Sequence, residues 1–137
     1  MKFIDQLKEK AKQNKKTIVL PETSDMRTIE AAGKVLAEGI ANIILVGDKE
    51  DIMSRAGDID LSGASFVDPK NYEKFDEYVD AFVEMRRKKG MTEARAKELL
   101  LTNPLYFGCM MVKQDDADGM VAGAINASAD VLRAALQ

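Results

Sequence analysis

Histidine and tryptophan are absent from the 137-residue sequence, and cysteine occurs once, at position 109. Without histidine, no serine or cysteine nucleophile within these residues can be activated by an imidazole base, and no metal site can use histidine ligands. A single cysteine cannot form an intramolecular disulfide bond. These absences exclude histidine-dependent hydrolysis and a disulfide framework, and we expect a reduced, cytoplasmic location.

Positive charge and long apolar runs are also scarce. The 20 Lys and Arg residues are outnumbered by 23 Asp and Glu residues, which gives a net charge of −3 without a concentrated basic face. Nucleic-acid binding needs a surface that neutralises phosphates, so neither DNA nor RNA is an expected partner. No apolar run approaches the roughly 20 residues that cross a bilayer, and residues 1–5 do not resemble a signal peptide. No membrane partner is expected.

What is present is the composition of one globular domain. Hydrophobic residues make up 46% and charged residues 31% of the chain, with 3 prolines and 9 glycines, as is typical of folded proteins. No internal repeat, low-complexity tract or linker divides the sequence. We therefore expect residues 1–137 to form a single domain.

Two short apolar runs predict buried strands. The first covers residues 17–20 and is stopped by Pro21, and the second covers residues 42–47. Between them, Thr23 and Ser24 offer N-cap oxygens, and Asp25 suits the positive end of the helix dipole. Apolar residues recur at helical spacing, and Gly39 is suited to end the helix. Since a strand, a helix and a second strand form a right-handed crossover, the sequence predicts an α/β fold with a mostly parallel sheet.

The rest of the chain continues this pattern. A proline after Asp68 is expected to open the strongest amphipathic helix, which ends at a basic run and Gly90. The last predicted helix, over 130–137, stops without a capping signal, so we expect the sequence to be part of a longer chain. The other predicted elements are helices over 2–16, 48–56, 92–101 and from Asn103, strands over 64–67 and 118–123, and a small-residue loop over 124–129.

Open parallel sheets bind ligands at the carboxyl ends of their strands, so the loops after Leu20, Val46 and Val121 are candidate sites. The first loop carries Glu22 and the polar residues 23–25, but helix capping alone would explain them. Cys109 lies in an apolar helix and is interpreted as a core residue rather than a nucleophile.

Two segments offer groups suited to phosphate. The basic run 86–89 provides forked guanidinium donors, although a solvated helix end is the simpler explanation. Between Gly119 and Arg133, glycines allow close backbone approach, and Asn126 and Ser128 are small and polar. The helix that begins there has free N–H groups suited to an anion, with helix capping as an equal alternative. Neither a Gly-x-Gly-x-x-Gly fingerprint nor a phosphate-loop sequence occurs, so the chain shows no signature of a dinucleotide or nucleotide-phosphate site.

Together these segments resemble the N-terminal part of the phosphate acetyltransferases, also called phosphotransacetylases. The order and spacing of the matching segments carry the resemblance, which covers essentially all 137 residues. The matching segments are Leu20–Glu22 with Asp25 and Arg27, Ala31–Ala32, Gly39, Ile44–Gly47, Val67–Pro69, Glu84–Arg86, Lys89–Thr92, Tyr106–Phe107, Met110–Met111, Asp118–Ala124 and Ser128–Gln137.

The resemblance implies reversible transfer of an acetyl group between coenzyme A and phosphate, giving acetyl phosphate, without a metal ion or a covalent enzyme intermediate. Coenzyme A is a substrate, and no cofactor is bound permanently. The implied fold is a three-layer α/β/α domain with a mostly parallel sheet, of the isocitrate-dehydrogenase-like type. Residues 1–137 would be the N-terminal portion of a two-domain acyltransferase and incomplete at the C-terminus. The family's active site lies between its two domains, and a homodimer is expected.

The resemblance also assigns binding residues. Carried over by position, Arg86 and Arg133 match family arginines implicated in binding coenzyme A or phosphate, and Ser128 lines the same pocket. Arg87 and Asn126 adjoin these positions and are further candidates. The family's thiol-deprotonating aspartate, with a neighbouring serine and arginine, lies in a C-terminal half outside this sequence. No catalytic residue is therefore assigned, and the isolated chain is expected to be inactive.

Two departures from the family pattern affect fine positioning. Asn126-Ala127 stands where many members have His-Ser, and Ala134 stands where a proline is usual. Two alternatives remain open: a phosphate butyryltransferase-like acyltransferase, and a stand-alone, non-catalytic module that binds a phosphorylated ligand or another subunit. Self-association is expected in each case, because an incomplete sheet leaves a strand edge and apolar surface uncovered.

Overall fold

The computed structural model describes residue 6, residues 9–10 and residues 12–122. Their strands are β1 (Thr17–Leu20), β2 (Asn42–Val46), β3 (Ser65–Val67) and β4 (Gly119–Met120). These strands form one sheet in the order β3–β2–β1–β4, and each neighbouring pair is parallel. The predicted α/β class with a parallel sheet is confirmed.

Five α-helices lie within residues 17–122. They are α1 (Met26–Glu38), α2 (Lys49–Ala56), α3 (Phe75–Met85), α4 (Glu93–Thr102) and α5 (Pro104–Lys113). Short 3₁₀ turns precede and follow α3, at Pro69–Asn71 and Arg87–Lys89. Each parallel connection thus contains at least one helix, as parallel strand pairing requires.

Alternate residues of the two central strands belong to two separate cores. Val19 and Ile44 pack with buried residues of α3, α4 and α5. Leu20 and Ile43 pack with buried residues of α1 and α2. Because successive side chains of a strand point to opposite faces, helices cover both faces of the sheet, and the arrangement has the three predicted layers.

Helix starts follow local capping chemistry. The side chains of Asp25, Asp48, Thr92 and Asn103 accept hydrogen bonds from backbone N–H groups at the beginnings of α1, α2, α4 and α5. Gly39 ends α1 in the left-handed conformation, with φ of 66°. These boundaries agree with the sequence except at the start of α1, where Asp25 is the cap instead of the predicted Thr23 or Ser24.

The amphipathic helix α3 starts later than predicted. The sequence places its start at Pro69, whereas α3 begins at Phe75. Asp68 does accept a capping hydrogen bond, but it caps the 3₁₀ turn that follows it. Tyr72 is extended, with φ of −84° and ψ of 126°, and its ring lies 5.6 Å from that of Phe107. Packing of Tyr72 against the core thus accompanies a break in what would otherwise be one helix.

Smaller differences concern the element ends. Gly90 adopts φ of 78° as expected but ends the second 3₁₀ turn rather than α3 itself. Within the described residues 118–122 of the predicted strand over 118–123, only the two residues of β4 form a strand. The described residues of the predicted helix over 2–16 are helical up to residue 13. The predicted loop over 124–129 and helix over 130–137 lie outside the described residues.

Candidate functional site

The direction in which the sheet grows reverses at β1, because β2 and β3 lie on one side of it and β4 on the other. Open parallel sheets bind ligands at such a reversal, beyond the carboxyl ends of the strands. A cleft of about 150 Å³ opens there, which we call the β1–β4 cleft. It is lined by Leu20, Glu22, Arg27, Thr28, Ala31, Val121 and Ala122.

Glu22 brings a buried carboxyl group to the β1–β4 cleft. It follows Pro21 at the end of β1, and it is 2% exposed. A buried carboxylate costs free energy unless neighbouring groups stabilise it, and the positive charge of Arg27 is one such group. Asp25, and not Glu22, is the N-cap of α1.

Arg27 places a cation at the rim of the same cleft. Its guanidinium donates to both carboxylate oxygens of Asp25, over 3.1 Å from Nε and 2.6 Å from Nη2. These hydrogen bonds and the charge of Asp25, with a smaller contribution from Glu22, raise the pKa of Arg27. The same hydrogen bonds lower the pKa of Asp25. The rim therefore carries an oriented guanidinium beside the N-terminus of α1, an arrangement suited to an anionic ligand.

Sequence reasoning matched Arg27 to the family pattern but assigned it no role. The signal was present in the spacing of Asp25 and Arg27, because a carboxylate at the N-cap can hold an arginine two residues later in a forked pair. Exposure of the Arg27 side chain is 71%, which leaves it accessible to a ligand.

The loop between β1 and α1 is fixed to the neighbouring strand. The Thr23 hydroxyl donates to the backbone carbonyl of Val46 over 2.5 Å, and Arg55 donates to the Thr23 carbonyl over 2.8 Å. Gly47 permits this close approach, because a Cβ there would lie 3.1 Å from the Thr23 hydroxyl oxygen. The loop that carries Glu22 is thereby held in place at the strand ends.

A second cleft, of about 260 Å³, lies beyond the ends of β1, β2 and β3. Asp48 and Asp68 contribute carboxylates to its lining, and Lys70 contributes a cation. Both aspartates cap helical turns. The β1–β4 cleft is the better candidate for a ligand, because it lies at the point where the direction of sheet growth reverses.

Arg86 and Arg87 are adjacent in sequence but lie in different environments. Arg86 is half-buried at the C-cap of α3, and its guanidinium lies 5.8 Å from the centre of the Phe82 ring. It borders a narrow apolar hollow between α3 and α5 rather than the β1–β4 cleft. Arg87 is exposed and forms an ion pair with Glu84 on the helix surface, which favours the solvated helix end that the sequence left open.

Three predicted binding residues, Asn126, Ser128 and Arg133, lie outside the described residues. The chain that leads to them leaves β4 at the β1–β4 cleft, where Val121 and Ala122 form part of the lining. The Val121 N–H still donates to the Val19 carbonyl, over 3.1 Å. The described part of the candidate site therefore consists of the β1 side with α1 and these last two residues.

Cys109 has the properties of a packing residue rather than a nucleophile. Its side chain is half-buried on α5, and burial raises the pKa of the thiol against a smaller opposing effect of Lys113. A raised pKa disfavours the reactive thiolate.

Residues 12–122, with residues 6, 9 and 10, contain no group of three or more His, Cys, Asp or Glu side chains placed to hold a metal ion. Among the helices described, none has the length and apolar character needed to cross a membrane.

Comparison of this sequence with known proteins points to one family throughout. The family model for phosphate acetyl/butaryl transferase matches residues 2–137. The phosphate acetyltransferase of Acetivibrio thermocellus is 50% identical over 137 residues, which are 100% of this chain and 41% of that protein. The phosphate acetyltransferase of Thermoanaerobacterium thermosaccharolyticum is 51% identical over 137 residues, 100% of this chain and 42% of that protein. The chain thus spans about two-fifths of the length of these relatives.

Solved structures show the same similarity. A phosphotransacetylase from Streptococcus pyogenes superposes with a TM-score of 0.87 at 36% identity, over 100% of this chain and 43% of that one. The EutD phosphotransacetylase from Staphylococcus aureus gives a TM-score of 0.84 at 38% identity, over 97% of this chain and 40% of that one.

Proposed function

Because the chain belongs to the phosphate acetyl/butaryl transferase family, we propose that it forms part of an enzyme that reversibly transfers an acetyl group between coenzyme A and phosphate. The observation that carries the proposal is the family match over residues 2–137. The structure supports it with the β1–β4 cleft, where an oriented guanidinium and a helix N-terminus suit phosphate oxygens.

The proposed reaction joins the coenzyme A sulfur to the acetyl carbonyl carbon and breaks the bond from that carbon to the phosphate oxygen. A base takes the thiol proton, and inorganic phosphate leaves. Arg27 and the backbone N–H groups at the start of α1 are suited to hold phosphate groups during this exchange. Arg86, Ser128 and Arg133 remain proposed contacts for coenzyme A or phosphate, with Arg87 and Asn126 as further candidates.

We assign the thiol-deprotonating base to the part of the enzyme beyond these residues. The resemblance to the phosphate acetyltransferases implies that this base is an aspartate of the C-terminal half, which lies outside this sequence. The whole enzyme would use coenzyme A as a substrate, without a permanently bound cofactor.

Comparison of the 137-residue chain with the product of its complete reading frame tests this assignment. Each is incubated with acetyl phosphate and coenzyme A, and formation of the acetyl thioester is followed with a boiled sample as the control. We expect turnover by the whole protein and none by the 137-residue chain. Turnover by the 137-residue chain would place the base within it, and lack of turnover by the whole protein would contradict the proposed reaction.

Acyl-chain preference separates the acetyltransferase from its alternative within the family. Butyryl phosphate offered in the same assay is expected to react more slowly than acetyl phosphate. A higher kcat/KM with butyryl phosphate would instead identify a phosphate butyryltransferase-like enzyme.

We also propose that the whole enzyme is a cytoplasmic homodimer. A single, half-buried cysteine fits a reducing compartment. Within the described residues β4 pairs with β1 alone, which leaves a strand edge to be covered by further chain or by a partner.

A further inference from the structure

A polar cluster links Asp116, which lies three residues before β4 and marks its entrance, to α3 and the residues before α3. The hydroxyl of Tyr78 donates to Asp116, and the Lys74 ammonium donates to the same carboxylate over 2.7 Å. The hydroxyls of Tyr72 and Tyr78 lie 3.2 Å apart. We call Tyr72, Lys74, Tyr78 and Asp116 the Asp116 cluster.

The Asp116 cluster holds its charges in one fixed state near neutral pH. Burial raises the pKa of Asp116, but the hydrogen bonds from Lys74 and Tyr78 outweigh it, so the pKa lies below its ordinary value. Burial, followed by the hydrogen bond to Asp116, raises the pKa of Tyr78. Asp116 thus remains an ionised acceptor and Tyr78 a protonated donor, and charge-assisted hydrogen bonds of this kind are stronger than neutral ones.

β4 needs such support because its own pairing is minimal. Two residues form the strand, and they pair with Ile18 and Val19 of β1. Register is weakly specified in so short a strand. Two side chains just before β4 add hydrogen bonds to the few that the strand itself makes. Asp116 joins this end of β4 to α3, and the Asp118 carboxylate accepts from the Thr17 N–H over 2.7 Å.

The other end of β4 opens directly into the β1–β4 cleft. Val121 and Ala122 follow the strand and form the part of the cleft wall next to β4, while Glu22 and Arg27 come from the loop and helix after β1. Extended chain advances about 3.3 Å per residue, so a displacement at Asp116 reaches the cleft wall across only a few residues of continuous backbone. β4 also contacts α5, because the side chain of Met120 packs close to Gly108.

We propose that Asp116 is a positioning residue for the ligand of the β1–β4 cleft, acting through β4 and touching no substrate. Tyr78 and Lys74 hold Asp116, Asp116 holds the entrance of β4, and β4 sets the wall at Val121 and Ala122. The kinetic consequence rests on the proposed acetyltransferase function, whereas the effect on β4 does not.

The test uses the whole protein and its Asp116→Asn variant. The amide keeps the size of the side chain but loses the charge that Lys74 and Tyr78 bind. We expect hydrogen exchange of the Val121 amide to accelerate by about tenfold or more, with exchange in β2 unchanged. We also expect the KM for coenzyme A to rise by about five- to tenfold while kcat stays within about twofold, because a displaced wall weakens binding without removing a reacting group.

Two further variants make the result decisive. Tyr78→Phe removes one hydroxyl and is expected to cause a smaller change in the same direction, and it replaces Asp116→Asn if that variant does not fold. Glu93→Gln is the matched control, since it removes an exposed carboxylate that pairs with Lys97, and it should change neither readout.

Unchanged Val121 exchange in Asp116→Asn and Tyr78→Phe would overturn the proposal. Faster exchange with an unchanged KM for coenzyme A would overturn it as well, because β4 would then be loosened without consequence for the ligand. If the unsubstituted protein does not turn over acetyl phosphate, the proposed function fails, and the exchange measurement still decides whether Asp116 fixes β4.

Discussion

Replacement of Phe107 by alanine is expected to lower the free energy of unfolding of the chain by about 3–5 kcal/mol. Phe107 is fully buried on α5. Its ring lies 5.6 Å from that of Tyr72 and 5.4 Å from that of Tyr78, so truncation removes the shared contact of two aromatic rings and leaves a cavity between helices and sheet. Urea unfolding followed by circular dichroism measures the change.

Met53→Ala is the control for this prediction. Met53 is 41% exposed, so its truncation should change the free energy of unfolding by less than about 1 kcal/mol. Equal effects of the two substitutions would show that α5 does not form the core that packs against the sheet.

Arg133→Ala in the whole protein is expected to weaken coenzyme A binding by about 10- to 100-fold. The family resemblance assigns this guanidinium to coenzyme A or phosphate, and a hydrogen bond to a charged group contributes about 1.5–3 kcal/mol. Isothermal titration calorimetry with coenzyme A measures the dissociation constant directly.

Arg95→Ala provides a matched control for the loss of one guanidinium. Arg95 is exposed on α4 and pairs with Glu98 over 3.3 Å, so its removal should leave the dissociation constant within about twofold. Affinity that is unchanged in Arg133→Ala would remove Arg133 from the proposed binding residues.

Strands and helix starts were predictable because their causes are local. The apolar runs of β1 and β2 report burial on both faces of a parallel sheet. Caps such as Asp48 and Asn103 act on N–H groups a few residues away. The start of α3 was missed because Asp68 and Pro69 form a local helix-start signal, whereas the chain is extended at Tyr72, whose ring packs on Phe107.

The sequence pointed to strand ends as candidate sites but not to the residues that line the cleft found there. Parallel strand topology pointed to the carboxyl ends of β1 and β4, where the β1–β4 cleft lies. Burial of Glu22 could not be read from a loop rich in capping residues, because burial depends on tertiary packing. The Asp116 cluster could not be predicted from the sequence either, since Lys74 and Asp116 are 42 residues apart and no short-range pattern joins them.

Amide hydrogen exchange of the whole protein with and without coenzyme A tests most directly whether the β1–β4 cleft is the substrate site. Pantetheine, which carries the thiol without the phosphates, serves as the ligand control. We predict that saturating coenzyme A slows exchange by about tenfold or more in residues 20–28 and 119–122, and that pantetheine does not. Protection confined to the second cleft, at residues 46–48 and 68–70, would contradict the account.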